Sequence, residues 1–467
     1  MNQTSLNRRE ALIAAGMGAM SLGMPGMVMG TDERDASGTA VAAEKSCIFV
    51  LLCGGPSHVD TWDMKPEAPD TIRGPYKPIA TSVPGMRINE MHTELSKYAN
   101  DFTLINSMQH PGAINNHFDA MHNLLSGQSV KRVQQGVPDD QPYLGSFVAK
   151  HAPSTRNIVS NAWLIKCVGP AVFCAPNIGI GGYLGSAYAP VFVGSAQNHP
   201  AMEDFTPPQI YDLGDEKRLA TRRTLLGSLE SDILNREPIG EDWADLREKG
   251  YDAMTRPEGR DAFIMSQEPD SVRDRYGRHP LGQNLLLARR MVEAGVRFVT
   301  VNGWTGQAPH DTKGPPSSSW DMHGGNMGMG NAFGDGSYGM NFCLPRMDQA
   351  VAALLGDLKE RGMLENTLVV VTGEFGRTPK ILYQNPPGRQ HWPKCFSSIV
   401  AGAGIAGGQV YGKTDRTGSY VSNNPVRPEE FSASIYHALD IPLNEPQNNS
   451  GLSRPITTGK PIMELFG

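Results

Sequence analysis

Cys47-Ile48-Phe49-Val50-Leu51-Leu52-Cys53 runs directly into Gly54-Gly55-Pro56-Ser57-His58-Val59-Asp60-Thr61-Trp62-Asp63. An unbroken apolar run without polar alternation predicts a strand covered on both faces, as in a parallel sheet. The glycine pair and the proline end it, and a polar loop follows. Short runs of the same kind recur at Phe102–Met108, Val296–Asn302, Leu368–Thr372 and Ser398–Ala401. Helical patterns separate them, over Glu90–Ala99, Phe118–Leu125, Leu281–Ala294, Leu344–Arg361 and Glu429–Leu439. Strands alternating with helices predict an α/β fold, a three-layer sandwich with a mostly parallel central sheet.

The rest of the chain hangs on that frame. Residues from about 203 to 280 are charged and helical in pattern, which predicts a helical insertion. Residues 304–342 are dominated by Gly, Pro, Ser and Met and predict a long loop. Loops of that length in a compact domain are usually functional or disordered. At the start, Arg8-Arg9 precedes a charge-free stretch from Ala11 to Gly30 that is interrupted by Pro25, and Ala40-Val41-Ala42 offers small residues for cleavage. This predicts a twin-arginine export signal and linker over residues 1–43, with the twin-arginine machinery as a partner and a periplasmic or secreted mature chain. The expected remainder, 44–467, is a single α/β domain with no membrane span.

The 467 residues carry 42 Lys+Arg against 48 Asp+Glu, a net charge of −6, which argues against a nucleic-acid binder, whose phosphate-facing surface would be strongly basic. The six cysteines, Cys47, Cys53, Cys167, Cys174, Cys343 and Cys395, contain no CxxC pair, so a thiolate zinc site is not expected. Cys167 and Cys174 are close enough in sequence to close a short loop.

In open α/β sheets the ligand site lies beyond the carboxyl ends of the strands. Those positions hold His58 and Asp60 after the first strand, and His110 and Asn115-Asn116-His117 after the second. The third leads to His310, Asp311, Asp321 and His323, and the fourth to Glu374, Arg377 and then His391. Such a mixed nitrogen and oxygen set suits a divalent ion, zinc first, with manganese, calcium or magnesium as alternatives. Each residue also has a plainer reading: Glu374 as a helix cap paired with Arg377, His391 as a packed loop histidine, and the Asp-x-His pair as turn residues. No GxGxxG, P-loop or G-x-S-x-G elbow is present.

GGPSHVDTWDMKP, IRGPYKPIATSVPGM, WDMHGGN, TLVVVTGEFGRTP and GRQHWP resemble the bacterial domain-of-unknown-function 1501 family, from about Lys45 to the C-terminus. That family in turn resembles the alkaline phosphatase/sulfatase-like superfamily. The resemblance implies an α/β sandwich with metal ligands at strand ends. It puts Glu374 where an Asp ligand would sit and Phe375 where a His ligand would sit. Asp321 and His323 look like a metal pair, and His391 resembles a late His that touches the substrate anion or a metal. Counting back from Leu124-Leu125-Ser126-Gly127 puts His117 at the nucleophile position, where sulfatases and phosphatases need a hydroxyl or a cysteine-derived group.

The expectation is an exported, metal-dependent hydrolase-like protein acting on a small-molecule or glycan sulfate or phosphate ester. His58, Asp60, Asp321, His323, Glu374 and His391 would ligate the metal, His117 would serve as acid/base, and Arg377 would neutralise the transferred group. The alternative is a non-catalytic member that binds polysaccharide or a partner protein.

Overall fold

The computed structural model describes residues 44–467 apart from 113, 129–140, 157, 167–177, 207–220, 222, 226–256, 307, 310, 312–318, 328, 337, 444–446 and 449–452. The expected export signal, most of the expected insertion, His310, and Cys167 with Cys174 lie outside the described residues. Glu44–Gly467 forms one compact unit.

The opening apolar run folds as β1 (Ser46–Leu51), buried at every position. The further strands of the main sheet are β2 (Phe102–Met108), β3 (Asn161–Leu164), β4 (Val191–Val193), β5 (Phe298–Asn302), β6 (Thr367–Thr372), β7 (Phe396–Ala401) and β8 (Gln409–Tyr411). They lie side by side in the order β8-β2-β7-β6-β1-β5-β3-β4. All neighbours are parallel except those of β7, which runs antiparallel to both β2 and β6. Leu51 is level with Asn302 on one side and Thr372 on the other, so three central strands end on one line.

The five longest described helices, α1 (His117–Ser126), α2 (Leu144–His151), α3 (Pro280–Glu293), α4 (Met340–Glu360) and α5 (Pro428–Ala438), cover the two faces. Ile48 and Val50 of β1 belong to a core with Leu285 and Leu286 of α3 and Val351 and Leu354 of α4. Phe49 and Leu51, which alternate with them, belong to a second core with Leu124 of α1, Phe147 of α2 and Ile435 of α5. The two-residue period of a strand therefore builds both interfaces of a three-layer sandwich. Each such side chain contributes about 1.5–3 kcal/mol by leaving water.

Two sequence expectations change, and four elements were not anticipated. The helix predicted over Glu90–Ala99 is a 3-10 helix at Leu95–Asp101. Its entry is set by Asp348 of α4, whose carboxylate accepts from the amides of Glu94 (2.9 Å) and Leu95 (2.8 Å), a contact no local pattern contains. Strands β3, β4 and β8 and helix α2 are three to eight residues long, too short to stand out in sequence. Within the expected insertion the described parts include short helices at Pro257–Asp261 and Asp270–Tyr276. The long loop ends where α4 begins at Met340, with one 3-10 turn at Gly324–Met327. No described helix is long and apolar enough to cross a membrane. Cys47, Cys53, Cys343 and Cys395 are buried free thiols.

Candidate metal centre

The loops that leave the carboxyl ends of β1, β2, β5 and β6 meet above the middle of the sheet. The Gly54-Gly55 pair makes this meeting close. Gly54 adopts φ +111°, and a Cβ there would lie 2.4 Å from the Asp321 amide nitrogen. A Cβ on Gly55, at φ +73°, would lie 2.6 Å from the Phe375 ring. Only glycine lets the ends of β1, β5 and β6 approach this closely.

Each functional side chain is then delivered by a specific local device. Asn116 caps α1, its side chain accepting from the Asp119 amide at 2.9 Å, and this fixes His117 as the first helical residue. Asp321 and His323 ride on the loop after β5. Trp320 pins that loop, its indole N–H donating to the Gly303 carbonyl at 2.8 Å. Gly376–Arg377 and His391–Trp392 form a two-stranded antiparallel ribbon in which His391 sits directly opposite Arg377. Residues paired across a ribbon share a face, so both reach the same centre.

Asp321 is the hub. Its Oδ1 accepts from Arg377 Nη2 at 2.7 Å and is also met by His323 Nδ1. Its other oxygen, Oδ2, lies 3.6 Å from His117 Nε2. His117 Nδ1 is 2.6 Å from Glu374 Oε1. Glu374 is fully buried, and its oxygens also accept from the Gly54 amide at 2.8 and 3.1 Å. His391 Nδ1 faces the Asn115 carbonyl at 3.0 Å, while its Nε2 is buried without a hydrogen-bond partner. Its ring stands edge-on to those of His117 (4.4 Å) and His323 (4.5 Å). Donor atoms of His117, Asp321 and His391 all lie within 4.8 Å of one another.

The electrostatics differ across this triplet. Burial would raise the Asp321 carboxyl, but the Arg377 guanidinium, then His117 and His323, hold it well below the usual range. Burial disfavours a charged His117, yet the Asp321 and Glu374 carboxylates outweigh it and raise its pKa. His391 is pushed down to about 3, first by burial and then by the positive charge of Arg377 and His117. His391 is therefore a neutral imidazole with an open nitrogen, the form in which histidine ligates a metal.

The expected ligand set does not converge as a whole, and for each departing residue the reason is a competing partner. Asp60, in the 3-10 turn His58–Asp60, is held bidentately by Arg389 (Nε–Oδ2 2.6 Å, Nη2–Oδ1 3.0 Å), with both side chains fully buried. His58 Nε2 lies 2.7 Å from the Gly418 carbonyl and 3.4 Å from Cys395 Sγ, and burial lowers its pKa to about 4. Glu374 supports His117 instead of presenting its own oxygens. His323 meets Asp321 through Nδ1, on the oxygen that faces away from His117. Arg377, expected at the transferred group, instead donates to Asp321 and to the carbonyls of Gly54, Gly55 and Arg389. His117, expected as acid/base, stands among the donors.

Two supporting residues carried no assigned role in the sequence reading. His110 contacts the Glu374 carbonyl through Nε2 and Asn123 Oδ1 through Nδ1 at 2.7 Å, tying β2, α1 and the β6 end together. Arg389 fastens the loop before His391, donating to the carbonyls of Thr378 and Ile72 besides Asp60. Their only signal in sequence was proximity to a strand-end motif.

The sequence profile of the family described as protein of unknown function (DUF1501) matches residues 44–466. The chain belongs to that family. No curated protein sequence matches this DUF1501 member. Among solved structures it resembles a variant of the alkaline phosphatase PafA at 10% identity, over 92% of this chain and 100% of that one, with a TM-score of 0.41. It also resembles the PsFucS1 sulfatase from Pseudoalteromonas sp. at 12% identity, over 91% and 76%, with a TM-score of 0.38. The alkaline phosphatase of the Antarctic bacterium TAB5 matches at 11% identity, over 85% and 98%, with a TM-score of 0.36. Likeness at this level does not reveal what the DUF1501 chain acts on.

Proposed function

We propose that this DUF1501 protein is an exported, metal-dependent hydrolase-like protein of the alkaline phosphatase/sulfatase-like superfamily, acting on a sulfate or phosphate ester. One observation carries the metal reading: the unpartnered, buried Nε2 of His391 sits beside His117 and Asp321, with donor atoms within 4.8 Å of one another. Two imidazoles and a carboxylate are the donor set of open catalytic sites, with positions left for water or substrate. The nitrogen donors favour zinc over manganese, calcium and magnesium, which prefer oxygen ligands.

His117 Nε2, Asp321 Oδ2 and His391 Nε2 would hold the ion. A divalent ion there supplies Lewis acidity toward an ester oxygen. Glu374 fixes the His117 ring and keeps Nδ1 engaged, so that Nε2 faces the centre. His323 and Arg377 hold the far oxygen of Asp321 and so orient its near one. His117 stands at the nucleophile position implied by the family motifs but has no hydroxyl, so water is the nucleophile this site would use.

The second reading, a non-catalytic member that binds a glycan or a partner protein, is favoured by Arg377, whose guanidinium is fully buried and bonded within the chain. Elemental analysis and a panel of aryl and glycan sulfates and phosphates separate the readings. Stoichiometric divalent metal, lost in the His117→Ala/His391→Ala double variant, is expected. Metal-free protein from metal-replete cells sinks the metal reading, and metal without any turnover leaves the binding role.

A further inference from the structure

The donors around the centre divide into two groups on either side of Asp321. On the Oδ2 side stand His117 Nε2 and the open Nε2 of His391. On the Oδ1 side every contact belongs to a resident cation or a supporting histidine. There Arg377, fully buried, places Nη2 on Asp321 Oδ1 (2.7 Å) and on the Gly54 carbonyl, Nε on the Gly55 carbonyl (3.0 Å), and Nη1 near the Arg389 carbonyl (3.3 Å) and His323 Nδ1 (3.2 Å). One carboxylate oxygen and three backbone carbonyls make an oxygen-lined cage of the kind that hard divalent cations select.

The neighbouring carboxylates Glu374 and Asp60 are both committed elsewhere. Both oxygens of Glu374 accept from the Gly54 amide, and Oε1 also meets His117. Asp60 is engaged by Arg389. Position 54 has no room for a side chain, since its Cβ would fall 2.4 Å from the Asp321 amide nitrogen. The guanidinium therefore satisfies the inner oxygen of Asp321 with a fixed single charge.

We infer that Arg377 is a built-in second cation, and that this site takes one divalent ion, bridged to the guanidinium by Asp321, instead of two. The inference rests on the metal reading above and sharpens it: Asp321 offers one oxygen to the ion and one to Arg377.

Counting ions tests it without any substrate. Full-length mature protein is equilibrated with excess Zn²⁺, desalted, and counted by elemental analysis and native mass spectrometry. One ion per chain is expected, and two overturn the inference while leaving the metal reading intact. No ion removes the metal reading and the inference together, so the two failures are distinguished by the count. Arg377→Ala, equilibrated with Zn²⁺ and then Mg²⁺ or Mn²⁺, is expected to take up a second ion, and Arg377→Lys to stay at one. A folded Arg377→Ala protein that still binds only one ion overturns the role given to the guanidinium. Should Arg377→Ala fail to fold, the wild-type count together with Arg377→Lys decides: two ions in either refutes it.

Discussion

Replacing Glu374 by Gln removes one acceptor from a fully buried group while keeping its shape. The carboxylate serves the Gly54 amide (2.8 and 3.1 Å) and His117 Nδ1 (2.6 Å). A glutamine has one carbonyl oxygen and an NH₂ that points donor against donor. With its oxygen at the Oε1 position the amide still meets both Gly54 and His117 but turns its NH₂ toward the Gly54 N–H; with its oxygen at Oε2 it leaves His117 without an acceptor. A buried donor left unmet costs about 1–3 kcal/mol. If His117 loses it, the ring is no longer fixed with Nε2 toward the centre, and losing the group that orients a ligand weakens metal binding about 10–100-fold. That corresponds to roughly 1.4–2.7 kcal/mol of binding energy. Competition against a zinc-chelating dye measures Kd, and thermal melting of the metal-free protein measures stability separately. A folded Glu374→Ala protein, which offers His117 no acceptor in any orientation, that binds zinc with unchanged Kd would refute the assignment of Glu374 as the residue that positions His117.

Three further outcomes follow from the same geometry. Arg389→Met leaves Asp60 charged and unpaired in the interior and should cost about 3–5 kcal/mol in denaturant unfolding, partly recovered by Asp60→Asn in the same chain; an unchanged midpoint contradicts the buried pair. His58 is neutral when folded, with its pKa lowered by burial to about 4 from 6.5, so its contribution is present above about pH 6.5 and is lost as pH falls through 4. Protonating it should take away about 3 kcal/mol in that window, and His58→Gln should flatten the acid limb of the stability profile; an unaltered limb shows that His58 does not titrate there. Stripping divalent ions with a chelator should lower the melting temperature and zinc should restore it, by about 2.7 kcal/mol at a hundredfold excess over Kd, whereas a chelator-insensitive melt argues against a bound ion.

Much of the frame was legible because it is written locally. The apolar runs at Cys47–Cys53 and Leu368–Thr372 correspond to β1 and β6, and the rule that loops after strand ends carry the site directed attention to Asp321, Glu374 and His391. What was not legible is which of several equivalent polar groups turns inward. His58 and Asp60 follow β1 more closely than His391 follows β6, yet Gly418 and Arg389, more than 300 residues away in the chain, claim them. Their partners lie on loops whose placement depends on the whole sheet order.

The sequence by itself determined that the chain builds a buried, mostly parallel sheet with histidines and carboxylates at its carboxyl edge, because apolar runs and glycine breaks act over a few residues. Only the tertiary structure decided the division of labour at that edge. The ribbon sets His391 opposite Arg377, but placing Gly54 against Asp321 and His117 between Asp321 and Glu374 takes contacts between residues roughly 200 to 270 apart in the chain. Hydrogen bonds reaching across those separations, which no local pattern encodes, assign each carboxylate oxygen to a cation, an amide or an open imidazole.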